Sequence, residues 1–115
     1  MAEYLFYLKL TARGAWEIRS LQEILDDTVG MWRSLAQTEL EVRAVTGKDD
    51  FVAIGSADDG VELSADQIAL RFALYVAESG YLKIESSRAF SLTEFYAQAE
   101  QLPEHTRKRF MWDKR

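Results

Sequence analysis

Carboxylates are the most plentiful chemical groups of this chain. Tandem pairs occur at Asp26-Asp27, Asp49-Asp50 and Asp58-Asp59, and Glu62 and Asp66 follow the last pair closely. Hard cations such as Mg²⁺ and Ca²⁺ bind oxygen ligands of this kind. The spacing of the last pair does not match an EF-hand loop, however, and Asp is common in turns because it tolerates the left-handed conformation and hydrogen-bonds nearby amides. We therefore predict turns at the last two pairs, and neither a metal site nor a bound cofactor.

Other groups that could perform catalysis are scarce. His105 is the only histidine, and the chain contains no cysteine. A general base needs an orienting partner and a pocket, and the sequence indicates neither beside His105. Nucleophile-elbow and phosphate-loop motifs do not occur. We predict no catalytic residues; the alternative is a small dimeric enzyme or ligand-binding domain whose pocket is lined by Trp16, Tyr7 and Phe51.

Charge is divided unevenly along the chain. The whole sequence holds 14 basic and 19 acidic side chains, for a net charge of −5, whereas residues 103–115 hold five basic and two acidic ones. Phosphate contacts supply much of the affinity for nucleic acid, and an acidic body opposes them. We therefore do not predict direct nucleic-acid binding, although a regulator that contacts nucleic acid through the basic tail is a further alternative.

The beginning of the sequence resembles neither a signal peptide nor a membrane anchor. Met1-Ala2-Glu3 leads directly into a short apolar stretch without a basic region before it. Apolar runs elsewhere are shorter than a membrane span requires. We predict a cytoplasmic protein with no membrane partner.

Three capping boxes predict three helices. In a capping box, a hydroxyl at the N-cap and a Glu or Gln three residues later bind free amides at the helix start. The pattern occurs at Ser20, Ser64 and Ser91, and each box opens a run with the apolar period of a helix. The predicted helices cover residues 21–37, 65–79 and 92–102.

Apolar and alternating stretches between these helices predict the strands. They cover residues 4–11, 38–46, 51–56 and 81–86, with short additional strands at 16–19 and 61–63. The resulting order places the chain in the α+β class. Its first six elements favour the ferredoxin-like βαββαβ arrangement, with the first and third strands central and the helices on one face of the sheet. We expect one domain over residues 1–102 and a basic tail, 103–115, that packs on it.

The second face of the predicted sheet has an aromatic centre. The side chains expected to face the helices are Phe6, Leu8, Val52, Ile54, Leu82 and Ile84. The side chains expected on the opposite face are Leu5, Tyr7, Phe51 and Tyr81. An apolar centre with a charged rim is typical of an interface. The third helix, the tail, a second copy of the chain or another protein could cover this face.

These features favour a small acidic protein-binding module, namely an inhibitor or an antidote such as an immunity protein, an antitoxin or a phage-encoded inhibitor. Its expected partner is a protein with a basic surface, such as a toxin or a nucleic-acid-handling protein, because complementary charge speeds encounter. The predicted charged contacts are Asp49, Asp50, Asp58, Asp59 and Glu62. The predicted apolar anchors are Tyr7, Phe51, Tyr81, Leu70 and Leu74, of which the last two interrupt the polar side of the second helix.

Overall fold

The computed structural model describes residues 1–16 and 20–103, and within them the chain forms four strands and four helices. In chain order the elements are β1 (Ala2–Leu10), α1 (Ala12–Trp16), α2 (Leu21–Ala36), β2 (Glu41–Ala44), β3 (Phe51–Ala57), α3 (Ala65–Ser79), β4 (Leu82–Ala89) and α4 (Leu92–Ala99). The predicted α+β class is confirmed.

The four strands form a single antiparallel sheet in the order β2-β3-β1-β4. β1 lies between β3 and β4, which agrees with its apolar residues on both faces. β2 and β3 form a hairpin, and Gly47 in its turn has a φ of +116°, a conformation that favours glycine. The pairing therefore places the most apolar strand in the interior of the sheet.

The capping boxes locate the helix starts well, but not every predicted cap forms. Ser64 completes a full capping box with Gln67, and Gly80 ends α3 in the left-handed conformation. The Ser91 hydroxyl accepts a hydrogen bond from the Glu94 amide at 3.0 Å. Ser20 makes no such bond, although α2 begins at Leu21 as predicted. The cap predicted at Ser20 is therefore wrong.

An aromatic cluster forms the centre of the core. Phe6 of β1, Trp32 of α2 and Phe72 of α3 are completely buried, with ring centroids 4.8 to 5.4 Å apart in edge-to-face arrangements. The Trp32 indole donates a hydrogen bond to the Thr38 hydroxyl at 3.0 Å, and that hydroxyl donates to the Ser56 carbonyl at 2.6 Å. The indole is thus buried without leaving its N–H unpaired, as a buried donor requires.

Gly55 of β3 makes room for this cluster. A Cβ atom at position 55 would lie 2.7 Å from the Trp32 ring and 3.0 Å from a methyl group of Leu40. Neither distance leaves room for a methyl group. The strand can approach α2 closely only because the residue has no side chain.

The two faces of the sheet differ from the prediction at β3. Phe51 pairs with Leu8, and Val52 pairs with Tyr7. Residues directly opposite each other on antiparallel strands lie on the same face, so Phe51 faces the helices and is only 9% exposed. Val52 and Ile54 lie on the other side. The predicted facing of β3 is wrong by one residue, which turns every side chain of a strand over.

The facing of β1 and of Leu82 and Ile84 is confirmed, but Tyr81, predicted on the opposite face, precedes β4 and packs against the core. Phe6, Leu8 and Leu82 are buried, and Ile84 pairs with Leu8 and packs against the core. Leu5, Tyr7, Val52 and Ile54 form the centre of the opposite face, which we call the open face.

Three further predictions need correction. Residues 61–63 form a loop, closed by a 2.7 Å hydrogen bond from the Gly60 amide to the Leu63 carbonyl, and not a strand. Trp16 ends the short helix α1, and the rest of the strand predicted at 16–19 lies outside the described residues. The same holds for the predicted basic tail after Pro103. α4 ends at Ala99, three residues before its predicted end. None of the described helices is both long and apolar enough to cross a membrane.

Candidate protein-binding surface

Five of the predicted contact residues lie on α3 and on the loop that precedes it. Asp58, Asp59 and Glu62 belong to the loop that leads from β3 into this helix, and Leu70 and Leu74 follow on its outer side. Asp66, in the first turn of α3, lies between the two groups. We call these six residues the acidic-apolar surface.

Local hydrogen bonds fix the loop that carries its acidic part. The Asp59 carboxylate accepts a hydrogen bond from the Ala65 amide at 2.8 Å, and the Ser64 hydroxyl accepts one from the Gln67 amide at 3.2 Å. Amides at the start of a helix have no partner within the helix, and the helix dipole favours negative charge there. Asp59 therefore holds the loop against α3 and leaves the carboxylates of Asp58 and Glu62 exposed.

A polar cleft of about 530 Å³ opens beside this loop. The charged and phenolic side chains that line it are Tyr4, Asp58, Asp59, Asp66, Arg88 and Glu94. The Tyr4 hydroxyl donates a hydrogen bond to the Asp66 carboxylate at 2.5 Å, and the Arg88 guanidinium lies 5.7 Å from the centre of the Tyr4 ring. Among the described residues, four carboxylates outnumber the two cationic groups of the cleft, the Arg88 guanidinium and the amino group of Met1, so the cleft is acidic.

Tyr4 contributes a hydrogen-bond donor to the cleft. Burial raises the pKa of its phenol to about 12, and the hydrogen bond to Asp66 acts in the same direction because the neutral phenol is the donor. Tyr4 consequently keeps its proton at neutral pH and orients the Asp66 carboxylate. A general base would need a pKa near the working pH, so this phenol is unsuited to that task.

The apolar part of the surface is a pair of leucines on α3. Asp66, Leu70 and Leu74 follow one another at intervals of four residues and therefore lie in a line along the helix. Leu70 and Leu74 are each 59% exposed. No other described part of the chain covers these two side chains, which leaves them accessible to a partner.

The other predicted charged contacts lie at the far end of β1. The Asp50 carboxylate accepts a hydrogen bond from the Leu10 amide at 2.8 Å, and Asp49 precedes it in the β2–β3 turn. The Asp50 carboxylate therefore closes the hairpin against β1. Asp58, by contrast, lies beside the first residue of the chain, 3.6 Å from the amino group of Met1. The predicted acidic contacts thus form two groups at opposite ends of a nine-residue strand.

The predicted aromatic anchors are also separated. Tyr7 lies half-buried on the open face, Phe51 is buried in the core, and the Tyr81 ring lies 4.4 Å from the guanidinium of Arg13. Trp16 is 88% exposed at the end of α1. Trp16, Tyr7 and Phe51 consequently do not line a common pocket, and the pocket predicted from them is wrong.

A smaller cleft, about 240 Å³, lies between α2 and α3. The Tyr75 hydroxyl in its wall donates a hydrogen bond to the Asp27 carboxylate at 2.5 Å, and this bond raises the pKa of Tyr75. The bond connects the two helices across the mouth of the cleft. Its geometry is that of a structural contact between α2 and α3.

Sequence reasoning did not assign a contact role to four residues of the polar cleft, namely Tyr4, Asp66, Arg88 and Glu94. Their juxtaposition depends on the pairing of β1 with β4, which places Tyr4 opposite Arg88. Within residues 1–16 and 20–103, no three metal-ligating side chains come together as a metal site would need.

Comparison with known proteins identified no relative. No family model, curated protein or solved structure matches this chain. Its function must therefore be argued from the surface itself.

Proposed function

We propose that this chain is a small acidic protein-binding module that docks on a basic surface of another protein. The observation that carries the proposal is the exposure of Leu70 and Leu74, each 59% accessible, in line with Asp66 and next to the acidic β3–α3 loop. Apolar anchors beside charged residues match the usual arrangement of an interface, in which an apolar centre is surrounded by a polar rim.

The leucines supply the expected affinity. Complete burial of a leucine side chain contributes about 1.5–3 kcal/mol relative to full exposure. Each of these leucines has already lost part of its exposure to the rest of α3, so a partner that covers both would gain less than twice that amount. The binding energy of an interface is commonly concentrated in a few side chains. The two leucines are suited to that role.

The carboxylates supply direction and speed. Asp58, Glu62 and Asp66 lie on the solvent side of the loop and helix, and the chain as a whole has a net charge of −5. Complementary charge raises association rates and rejects partners of like charge, and salt weakens this effect. A protein with a cationic surface is the partner that this charge pattern favours.

We extend this proposal to an inhibitor or antidote role. A toxin or a nucleic-acid-handling protein carries a cationic substrate site, which an acidic module of this size can cover. The inhibitor or immunity-type protein predicted from the sequence would act by covering such a site. This step is an analogy between classes of protein, supported by charge and by the anchor pair.

We also propose the ferredoxin-like description for the sheet and its helices. The order β1-α2-β2-β3-α3-β4, with β1 and β3 in the middle of an antiparallel sheet, supports it. α1 and α4 are additions to that arrangement.

The function can be tested by affinity capture with the full chain as bait, from extracts of the native host and its competitors. We expect the wild-type chain to retain one predominantly basic protein and to lose it as salt is raised. Leu74→Lys should weaken binding of that protein about tenfold or more, because it places a charge at an apolar anchor. Addition of the wild-type chain in equal amount should inhibit the activity of the captured protein.

Matched variants control for the change in charge. Val45→Lys makes the same substitution type at a residue that is 38% exposed near the β2–β3 turn, and Asp26→Lys matches Glu62→Lys on the exposed side of α2. Both controls should bind like the wild type, while Glu62→Lys should slow association several-fold. Capture that survives Leu74→Lys, or recovery of nucleic acid or a metabolite alone, would contradict the proposal.

A further inference from the structure

Four apolar side chains form the centre of the open face, two from β1 and two from β3. The register joins them as the cross-strand pairs Leu5–Ile54 and Tyr7–Val52. All four are half-buried. The described partly buried side chains that pack against the core include none of them. The centre of the sheet is thus apolar on the side away from its own core.

The rim of the open face carries charges of both signs. On β1, Glu3 lies at one end and Lys9 at the other. Lys9 also lies directly opposite Lys83 of β4, and like charges at this separation destabilise a sheet. On β2, the Arg43 guanidinium donates a hydrogen bond to the Glu41 carboxylate at 2.9 Å. On β4, Glu85 lies opposite Tyr7. The face therefore has lysines at one end and Glu3 at the other, and charged residues of the two edge strands flank its apolar centre.

We infer that two copies of this chain associate through their open faces, with a two-fold axis that crosses the strands midway between the two apolar pairs. Under this rotation each strand lies over the same strand of the second copy and runs in the opposite direction. A residue therefore faces the residue that lies equally far from the axis on its other side. The resulting contacts of one copy with the second are Tyr7 with Leu5, Val52 with Ile54, Lys9 with Glu3 and Arg43 with Glu41. Apolar residues meet apolar residues, and each of the two charged pairs joins opposite signs.

The alternative two-fold axis, parallel to the strands, fits the charges less completely. It would lay β1 on β3 and β4 on β2 of the second copy, so that Glu85 faces Arg43, whereas Glu3 faces Ser56 and Lys9 lies over the hairpin turn. The axis across the strands also brings a carboxylate toward the Lys9–Lys83 pair, whose repulsion a single copy leaves in place. Both axes keep the strands of the two sheets aligned, as in sandwiches of two sheets. The axis across the strands is the one that pairs Lys9 with Glu3, and exchange of these two charges distinguishes the two arrangements.

The size of the face sets the expected strength. Three strands paired over about seven residues and β2 paired over four, all about 4.8 Å apart, give a flat area on the order of 400 Å². A stable interface buries about 800 Å² of accessible surface per partner, and a rough surface presents more accessible area than its flat outline. An interface of this size lies at the small end of the specific interfaces, so we expect a reversible dimer.

Sedimentation velocity of the full chain, from about 1 to 300 μM, tests the association. The wild type should change from monomer to dimer over this range. Tyr7→Glu should raise the dissociation constant about 30-fold or more, because it places a charge in the apolar centre. Lys9→Glu and Glu3→Lys should each raise it about tenfold, and the double exchange Glu3→Lys with Lys9→Glu should restore it to within about threefold.

The stability of the single chain provides a readout that separates association from folding. Lys9→Glu removes the like-charge contact with Lys83, so its urea midpoint at low concentration should equal or exceed that of the wild type while its dimer weakens. A chain that stays monomeric at every concentration would overturn the inference. A dimer that resists Tyr7→Glu but is lost on Leu92→Glu would overturn it as well, because it would place the contact on α4.

The inference stands apart from the proposed function. The open face lies across the sheet from α3, so Leu74→Lys should leave the dimer intact, and Tyr7→Glu should leave the acidic-apolar surface intact. A chain that dimerises but captures no basic protein contradicts the proposed function alone. A chain that captures a basic protein but stays monomeric contradicts this inference alone.

Discussion

The two faces of the sheet are built from the same strands but differ in how deeply their side chains are buried. On the helix side, Tyr4, Phe6 and Leu8 of β1 are 4%, 0% and 0% exposed. On the open face, Leu5 and Tyr7 of the same strand remain half-buried. The apolar content of the strand does not decide this, because apolar residues occupy both sides. The burial of a side chain on this sheet is therefore decided by the elements that cover its face.

The cover on the helix side is specific in shape. α2 and α3 each contribute one large ring, Trp32 and Phe72, and their centroids lie 5.4 and 4.8 Å from that of Phe6. Edge-to-face contacts of this kind add about 0.5–1.5 kcal/mol beyond the area that they bury. The helix side should therefore respond strongly to substitution and the open face weakly.

The largest expected effect is the loss of a ring on the helix side. Phe6→Ala should lower the free energy of unfolding by about 3–5 kcal/mol, because it removes a buried ring and leaves a cavity. Tyr7→Ala, one residue away on the open face, should cost about 1 kcal/mol or less. Urea denaturation at low protein concentration compares the two. Equal losses would contradict the difference between the faces, and Phe6→Leu serves as a milder variant if Phe6→Ala does not fold.

A smaller effect is expected where a side chain is added to the helix side. Gly55→Ala should cost about 1–3 kcal/mol, because the new methyl group meets the Trp32 ring at 2.7 Å. Gly30→Ala is the matched control, since no atom lies within 4 Å of its Cβ position and α2 should gain about 0.5–1 kcal/mol from alanine. Thermal unfolding of both variants measures the contrast. A Gly55→Ala variant as stable as Gly30→Ala would show that the packing at Gly55 is looser than described.

The smallest expected effect concerns Tyr4 and depends on pH. Its pKa is raised to about 12 in the folded chain, against about 10 for a tyrosine in an unfolded chain. Above pH 10 the folded state keeps a proton that the unfolded state loses, so stability is fully present below pH 10 and falls as pH rises toward 12. The stability difference between the wild type and Tyr4→Phe should shrink over that interval. Urea midpoints between pH 8 and 12 measure this stability difference. A difference that stays constant over this interval would contradict the raised pKa of Tyr4.

The helices could be predicted from the sequence with close boundaries because local signals define them. α3 runs from Ala65 to Ser79 as predicted, between a capping box and Gly80. α1 gave no such signal, since it is a single turn that contains Gly14. The helix is held instead by the sheet end, where the Gly14 amide donates to the Thr11 hydroxyl at 3.0 Å and the Thr11 amide to the Tyr81 carbonyl at 3.0 Å.

The facing of β3 could not be predicted in the same way. Phe51, Val52, Ala53 and Ile54 are all apolar, so the alternation that normally assigns a face is missing. The structure places the smaller residues, Ala53 and Gly55, under the aromatic cluster. That choice depends on the volume of Trp32, which comes from another element, and the strand alone does not contain the information.

Only part of the candidate surface could be predicted from the sequence, again because some of its residues depend on other elements. Leu70 and Leu74 could be found from helical periodicity, and Asp58, Asp59 and Glu62 from their turn. The role of Tyr4 depends on the sheet register that places it opposite Gly55 and Arg88. Residues that act through long-range pairing have no local pattern that would single them out.

The contact between Gly55 and Trp32 also limits how this sequence can change. A larger residue at 55 fits only if Trp32 and Leu40 give way, because a Cβ atom there would lie 2.7 Å from the ring and 3.0 Å from the leucine methyl group. The two positions should therefore vary together in any descendant or relative that keeps this sheet. A sequence with glycine at the first position and tryptophan at the second, 23 residues earlier, retains the same fit between strand and helix. A selection experiment that starts from Gly55→Ala should therefore recover second changes at positions 32 and 40 before changes elsewhere.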